Sequence, residues 1–111
     1  MGLKLSRGFT VKGSIERVFE LTQSYISGMK YIVESSNKPN LLVLKRGRNY
    51  PLSLKVEDYS TKLTISFTQK DEVVHMLCDF EVHEFAIYTS GDRATLENEV
   101  EKLRAFLETA L

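Results

Sequence analysis

The stretch that decides the fold is SGDRATLENEVEKLRAFLETAL, residues 90–111, at the end of the chain. Its apolar residues recur at intervals of three and four, which keeps them on one face of an α-helix. They are Leu96, Val100, Leu103, Leu107 and either Ala110 or Leu111, and Phe106 widens the stripe. Ser90 and Asp92 are candidates for the helix start, because both side chains can accept hydrogen bonds from free backbone amides. The pattern predicts a long amphipathic helix that covers a sheet.

Much of the chain before this helix alternates between apolar and polar residues, which is the period of a β-strand with one buried face. The alternating stretches are Leu3–Val11, Leu52–Val56, Leu63–Phe67 and Val74–Val82. In the first, Arg7 interrupts the apolar face, and Gly8 beside it permits a bulge or close packing. The stretch Val74–Val82 continues through Phe85 to Tyr88, but its apolar–polar alternation shifts by one residue near His83. This shift predicts a bulge or bend there. These stretches predict strands that present one face to the closing helix.

A hairpin and a second helix complete the predicted elements. The β-prone stretch Tyr31–Glu34 and the apolar run Leu41–Leu44 flank the turn residues Asn37 to Asn40, which predicts the hairpin. The second helix is predicted from residues that recur at helical spacing: Ile15, Val18, Phe19, Thr22, Ile26 and Met29. We expect Ser14 to cap the start of this helix and Gly28 to end it in a left-handed conformation.

This order of elements predicts an α+β fold, a two-layer sandwich with the order β-α-β(4-5)-α. The sheet has five or six strands and is antiparallel, because short turns join successive strands. Two helices cover one of its faces. A length of 111 residues suits a single domain over residues 1–111.

The segment Gly13–Leu21, GSIERVFEL, resembles the strand-to-helix junction of helix-grip domains in the START and pollen-allergen superfamily. The long helix after Tyr88 fits the same family, and the resemblance of pattern extends over Leu3–Leu111. Helix-grip domains are usually longer, so the resemblance implies a reduced domain with a smaller cavity. The element order is equally similar to the β-α-β4-α unit of TATA-box-binding-protein-like folds. Neither resemblance assigns a role to a particular residue.

The composition excludes several classes of protein. Apolar residues make up 42% and charged residues 27%, values typical of a soluble globular protein. No apolar run approaches the ~18 residues of a membrane helix, and residues 1–10 lack the apolar core of a signal peptide. We therefore expect a cytoplasmic protein. The single cysteine, Cys78, excludes an intramolecular disulfide framework.

Metal and catalytic sites are not indicated either. His75, Cys78, Asp79 and His83 are residue types that bind zinc. On one strand, however, the two histidines are separated by roughly 26 Å and Cys78 points to the other face. Cys78 is interpreted as a buried structural thiol, and the acidic Asp79, Glu81 and Glu84 as a solvated strand face. A glycine-rich phosphate loop is also missing. The sequence predicts no enzyme activity, no metal and no cofactor.

The most conspicuous polar cluster is a predicted basic turn with Lys45, Arg46 and Arg48, followed by Tyr50. Guanidinium groups match phosphate and an aromatic ring can stack on a base, so a nucleic-acid or phosphate site is one interpretation. The first fifty residues carry nine basic and three acidic side chains, whereas the remainder carries six and twelve. Because the net charge is zero and three charges make a small footprint, a solvated hairpin tip is the favoured interpretation.

These observations favour a non-enzymatic binding module, monomeric or weakly dimeric. Its partner is either a protein on the open sheet face or a small apolar ligand between the sheet and the closing helix. The open face is predicted to carry mostly small polar side chains: Ser53, Lys55, Glu57, Thr64, Ser66 and Thr68. A cavity lined by Phe67 and Phe80 would favour the ligand, and a filled core would favour the partner. A nucleic-acid or phosphate module that uses residues 45–48 is the alternative.

Overall fold

The computed structural model describes residues 3–48, 55–82 and 90–111, with the side chains of Glu57 and Ser90 excepted. Five strands, two α-helices and a short 3-10 helix lie in these ranges. In chain order they are β1 (Leu3–Lys12), α1 (Ile15–Ser27), β2 (Ile32–Asn37), β3 (Leu41–Arg46), the 3-10 helix Val56–Asp58, β4 (Thr61–Lys70), β5 (Val73–Val82) and α2 (Ser90–Ala110). None of the described helices has both the length and the apolar character that crossing a bilayer requires.

The sheet is antiparallel and has the strand order β1-β5-β4-β3-β2. Successive strands from β2 to β5 pair with their neighbours. Short connections join β2 to β3 and β4 to β5, whereas residues 47–60 join β3 to β4. The first strand instead pairs with the last, because α1 carries the chain across to β2 at the other edge. The predicted α+β class, an antiparallel sheet with two helices, is confirmed.

Strand β1 pairs with β5 without a register shift, from Leu3 opposite Val82 to Lys12 opposite Val73. Of the two predicted uses of Gly8, close packing is therefore the one observed. A Cβ atom at this position would lie 3.3 Å from the carbonyl oxygen of Met76. Arg7, which interrupts the apolar face, forms an ion pair with Glu97 of α2 through its guanidinium.

Two strand predictions differ from the structure. Strand β2 begins at Ile32 and extends through Asn37 at one edge of the sheet, and all six of its side chains are exposed. Val56, predicted to end a strand, lies in the 3-10 helix, where its side chain is buried. The rest of that predicted strand, residues 52–54, lies outside the described residues, as does the phase change predicted at residues 83 and 84.

Helix α1 starts as predicted and ends differently. The Ser14 side chain accepts a hydrogen bond from the backbone N–H of Arg17 at 3.4 Å, which confirms the N-cap. Gly28 has a right-handed φ of −76°, so the prediction of a left-handed Gly28 is wrong. The N–H groups of Gly28 and Met29 still bond to carbonyls of the last helical turn, so the chain reverses only at Lys30, where φ is +67°.

Helix α2 covers the sheet with the predicted apolar stripe. Leu96, Val100, Leu103 and Leu107 are buried, and Phe106 stacks on Tyr25 of α1 with ring centroids 4.6 Å apart. The helix begins at Ser90, so both predicted capping residues lie within its first turn. On the other side of the core, Phe19 of α1 packs on Phe67 of β4 with a centroid distance of 5.2 Å. The helices are thus fixed to the sheet by apolar burial.

Gln69 of β4 joins the sheet to the start of α1. Its Oε1 accepts a hydrogen bond from the N–H of Ile15 at 2.7 Å. Its Nε2 donates to the carbonyl oxygens of Gly13, Asp71 and Val73 at 3.0–3.1 Å. One amide side chain therefore holds both the first turn of α1 and the β4–β5 turn.

Candidate functional site

An open cavity of about 350 Å³ lies where the end of α1, the end of β3, the 3-10 helix and α2 meet. Its volume is near the lower end of the range of roughly 300–1,000 Å³ that is typical of ligand pockets. The lining residues are Gly28, Met29, Lys30, Arg46, Asp58, Thr95, Asn98, Glu99 and Lys102. Most of them are polar or charged.

One wall of the cavity is a polar stripe on α2. Thr95, Asn98, Glu99 and Lys102 follow the spacing i, i+3, i+4 and i+7, so they share one helix face. This stripe runs beside the buried apolar stripe that begins at Leu96. The same helix therefore covers the core with one face and lines the cavity with the adjacent one.

Arg46, the last residue of β3, lies at the cavity with a side chain that is only 6% exposed. Strand alternation puts it on the same face as Leu42 and Leu44, which are buried in the core. Its Nη2 donates to Oε2 of Glu99 at 2.9 Å. Its guanidinium carbon lies 4.2 Å from the centroid of the Tyr31 ring, in a cation–π contact.

Tyr31 completes this cluster. Its hydroxyl donates a hydrogen bond to Oε1 of Glu99 at 3.4 Å. Burial, together with the nearby Glu99 carboxylate, raises the pKa of the Tyr31 phenol well above its ordinary value. The phenol therefore stays protonated as a donor. Both oxygens of Glu99 are engaged, one by Arg46 and the other by Tyr31.

The Nε–H of Arg46 is buried and has no hydrogen-bond partner in the part of the chain that the structure describes. Leaving a buried donor unpaired costs about 1–3 kcal/mol, and more when the donor is charged. This nitrogen has almost no accessible surface, so the unpaired donor lies inside the packed wall and is not open to the cavity.

The other charged side chains at the cavity are Lys30, Lys102 and Asp58. Lys30 follows α1 and Lys102 projects from α2, so the two ammonium groups approach the cavity from different elements. Both are exposed, and neither forms an ion pair with the described residues. Since Arg46 and Glu99 compensate each other, two positive charges face the single carboxylate of Asp58. The cavity is net positive.

The structure separates the site residues that the sequence suggested. Lys45 and Arg46 belong to strand β3, so the prediction of a turn is wrong for both. The Lys45 side chain is solvated as predicted, whereas that of Arg46 is not. Strand alternation points them to opposite faces: Lys45 pairs with Glu34 at 2.8 Å, whereas Arg46 is buried at the cavity. Arg48 is exposed and bridges Tyr59 through its backbone. The fourth residue, Tyr50, lies outside the described residues.

Sequence reasoning missed most of the cavity, although two signals for it exist. The alternation of Leu42 and Leu44 continues to Arg46, which marks an inward-pointing cation. The polar stripe from Thr95 to Lys102 has helical spacing. Nothing in the sequence, however, links Arg46 to Glu99, which is 53 residues away.

The cysteine and histidine positions agree with strand geometry. Cys78 is buried in the core, and burial raises the pKa of its thiol to about 12. His75 is exposed on the opposite face of β5, and His83 lies outside the described residues. Within the described ranges, no group of three or more His, Cys, Asp or Glu side chains is placed to hold a metal ion.

The outer face of the sheet is a second candidate surface. Thr64 and Ser66 of β4 are partly buried there and Thr68 is exposed, as the strand pattern predicts. The nearby Leu77 of β5 is 43% exposed and lies opposite Ser66 and Gly8 in the ladder. Lys55 and Glu57, predicted for the same face, lie instead at the start of the 3-10 helix and within it, and Ser53 lies outside the described residues.

Comparisons with known proteins identify the fold. No protein-family model and no curated protein matches the chain in sequence. The solved structure of Ara h 8.0201 superposes with a TM-score of 0.71 at 6% identity, over 99% of this chain and 97% of the other. Protein Ms6760 from Mycobacterium smegmatis gives 0.63 at 8% identity, covering 98% and 90%. TTHA0849 from Thermus thermophilus gives 0.51 at 13% identity, covering 96% and 95%.

Such low identities establish the fold alone. Ara h 8.0201 has the helix-grip fold, so the resemblance to helix-grip domains is confirmed, and the TATA-box-binding-protein alternative has no support among these structures.

Proposed function

We propose that this helix-grip domain is a non-enzymatic binding module that holds a small molecule in the cavity between α1, β3 and α2. The observation that carries the proposal is a buried arginine at the wall of an open cavity of about 350 Å³. Phe67 and Phe80 are buried in the core and do not line this cavity, and its lining is mostly polar. The cavity therefore suits a ligand with a charged or polar group better than the small apolar ligand expected from the sequence. We also expect the protein to be cytoplasmic.

The chemistry of the lining favours binding over catalysis. The hydroxyl of Thr95 donates to the carbonyl oxygen of Gly91 at 3.0 Å, as an ordinary helical side chain does. Glu99 is engaged by Arg46 and Tyr31, so it is not free to act as a base. The lining residues include no histidine and no cysteine. A nucleophile beside a base, which covalent catalysis requires, is not assembled by these side chains.

A protein partner on the outer sheet face is the second candidate. The exposure of Leu77 beside small polar neighbours supports it, but one leucine makes a small apolar surface. The nucleic-acid alternative loses its main support, since Lys45 and Arg46 point to opposite faces of β3.

The experiment that tests the cavity is native mass spectrometry of protein purified from its own host. We expect the wild type to carry a small molecule that is released on denaturation. Asn98→Trp should lose it, because an indole at this exposed lining position fills the cavity from α2. Ala105→Trp is the matched control, since Ala105 is exposed on α2 but does not line the cavity. Ligand-free wild type, or ligand retained by Asn98→Trp, would refute the proposal.

A further inference from the structure

We infer that the open edge of strand β1 binds an extended acidic segment of a partner protein, which adds a strand to the sheet and places one apolar side chain between β1 and α2. The inference is independent of the proposed function, because β1 does not line the cavity beside Arg46. It names the binding surface, the mode of binding and the chemistry of the partner.

The first argument is the hydrogen-bonding state of β1. This ten-residue strand pairs with β5 along its whole length, and no described residue forms a ladder with its other side. An edge strand presents a row of free backbone N–H and C=O groups, which is a template for adding another strand. None of residues 6–10 is buried, so the middle of this edge is open to an incoming chain.

The second argument is a pocket beside this edge. It has a volume of about 150 Å³ and is lined by Arg7, Gly8, Phe9, Glu97, Val100 and Glu101. The last three follow the spacing i, i+3 and i+4, so they share the face of α2 that is turned toward β1. A cavity of roughly this volume can hold a benzene molecule, so the pocket has room for one apolar side chain.

The charged groups of this pocket are already compensated. Glu97 forms an ion pair with Arg7, and Glu101 accepts hydrogen bonds from Arg104 at 2.7 and 3.0 Å. The ring of Phe9, in contrast, is an apolar surface that is only partly buried. An inward-facing residue of an added strand lies beside Arg7 or Phe9, because directly opposite residues of paired strands share a face. The pocket therefore favours an apolar side chain at that position.

The third argument is charge, which decides between a partner protein and a second copy of this chain. Strand β1 carries Lys4, Arg7 and Lys12 and no acidic residue. Antiparallel pairing with β1 of a second copy would bring these cations together, and like charges on facing strands are destabilising. Lys4 and Lys12 are exposed and form no ion pair with the described residues. Acidic residues opposite these two lysines complement them, so the partner segment is acidic.

The other edge strand, β2, is less suited to this role. It has six residues, and its ladder with β3 is irregular between Val33 and Ser35. Bulges of this kind protect a sheet edge, because they twist the strand away from an incoming chain. Strand β1 keeps one register over all ten residues and offers the longer regular template.

The test uses a nine-residue peptide of serine, threonine and valine with glutamate at both ends and leucine at the fourth position. Aligned with residues 4–12, it places a glutamate opposite each lysine and the leucine opposite an inward-facing residue. Two-dimensional ¹⁵N NMR of the full chain follows the titration. We expect saturable shifts centred on β1 and slower hydrogen exchange at alternate amides of this strand, because these amides gain partners. Replacing the leucine by aspartate, or both glutamates by lysine, should weaken binding at least about tenfold.

Two variants of α2 separate the pocket from the rest of the helix. Glu101→Trp should weaken peptide binding about tenfold or more, because an indole at this exposed lining position fills the pocket. Glu108→Trp is the matched control, since Glu108 also pairs with Arg104 and is exposed but does not line the pocket. It should leave peptide binding unchanged.

Several results overturn the inference. They are the lack of a saturable shift at millimolar peptide, shifts centred outside β1, equal affinity for either altered peptide, and equal affinity of the two tryptophan variants. Analytical ultracentrifugation tests the second copy as the occupant. A concentration-dependent dimer whose protected amides lie on β1 would also overturn the inference, because a copy of the chain would then cover the edge.

Discussion

The guanidinium of Arg46 on β3 and the carboxylate of Glu99 on α2 form a buried ion pair, with Nη2 and Oε2 separated by 2.9 Å. The side chains are 6% and 14% exposed, and the Tyr31 ring lies against the guanidinium at 4.2 Å. This pair ties the closing helix to the sheet beside the cavity. The contact that holds α2 on the sheet therefore also forms one wall of the cavity.

Breaking this pair from one side should be costly. Arg46→Met leaves the Glu99 carboxylate buried and uncompensated, so we expect a loss of about 3 kcal/mol in the free energy of unfolding. The double variant Arg46→Met with Glu99→Leu should recover most of that loss, because no charge remains buried. Urea denaturation of the four proteins in this cycle measures both effects. A loss below about 1 kcal/mol for Arg46→Met would place the pair among ordinary surface ion pairs.

Relieving the backbone at Lys30 should stabilise the fold slightly. The left-handed conformation costs a non-glycine residue about 1–2 kcal/mol, whereas glycine loses about 0.5–1 kcal/mol through backbone entropy. Lys30→Gly should therefore gain up to about 1 kcal/mol in the free energy of unfolding. Lys4→Gly is the control, since Lys4 lies within the extended β1, and it should destabilise. Destabilisation by Lys30→Gly would contradict the strain at this residue.

Gln69 offers a test of one hydrogen-bonding side chain. Gln69→Glu keeps the shape and the acceptor for the N–H of Ile15 but removes the donor to three carbonyl oxygens. We expect a loss of about 2 kcal/mol, since each hydrogen bond contributes about 0.5–1.5 kcal/mol. Gln23→Glu on α1, which alters a partly exposed amide elsewhere, should change stability little. Thermal denaturation followed by circular dichroism distinguishes the two.

The closing helix should be indispensable for folding. Leu103 is 2% exposed in the middle of the buried stripe, so Leu103→Asp places an unpaired charge in the core and should cost more than about 4 kcal/mol. Ala105→Asp puts the same charge on the exposed side of α2 and serves as the control. A chain that ends at Thr89 should not fold. Dispersed amide signals and a cooperative melt of that truncated chain would show α2 to be an accessory.

The thiol of Cys78 should make stability fall with rising pH. Burial raises its pKa to about 12, so the folded protein keeps the proton at pH values where the unfolded chain loses it. The contribution is present below the ordinary thiol pKa and is lost between about pH 9 and 12, by about 1 kcal/mol per pH unit. The free energy of unfolding of Cys78→Ala, measured from pH 8 to 10, should therefore fall less steeply than that of the wild type. Equal slopes would mean that the thiol titrates normally in the folded state.

The amino-acid sequence by itself determined the elements that depend on local period and capping. The apolar stripe from Leu96 to Leu107, the alternation in β4 and β5, and the Ser14 cap are properties of neighbouring residues, and each was predictable for that reason. The end of α1 was not, because the choice between Gly28 and Lys30 for the left-handed position depends on how the chain enters β2.

Tertiary structure decided the cavity and its chemistry. The spacing of apolar residues along the sequence shows which face of a strand or helix is buried. It does not show which residue of a distant element lies opposite that face. The pairing of β1 with β5 and the position of α2 bring Glu99 to Arg46 across 53 residues, and the end of α1 brings Lys30 to Lys102. A cation that resembled part of a solvated turn thereby became a buried residue at the wall of a positively charged cavity, because only the folded chain supplies its carboxylate and its aromatic partner.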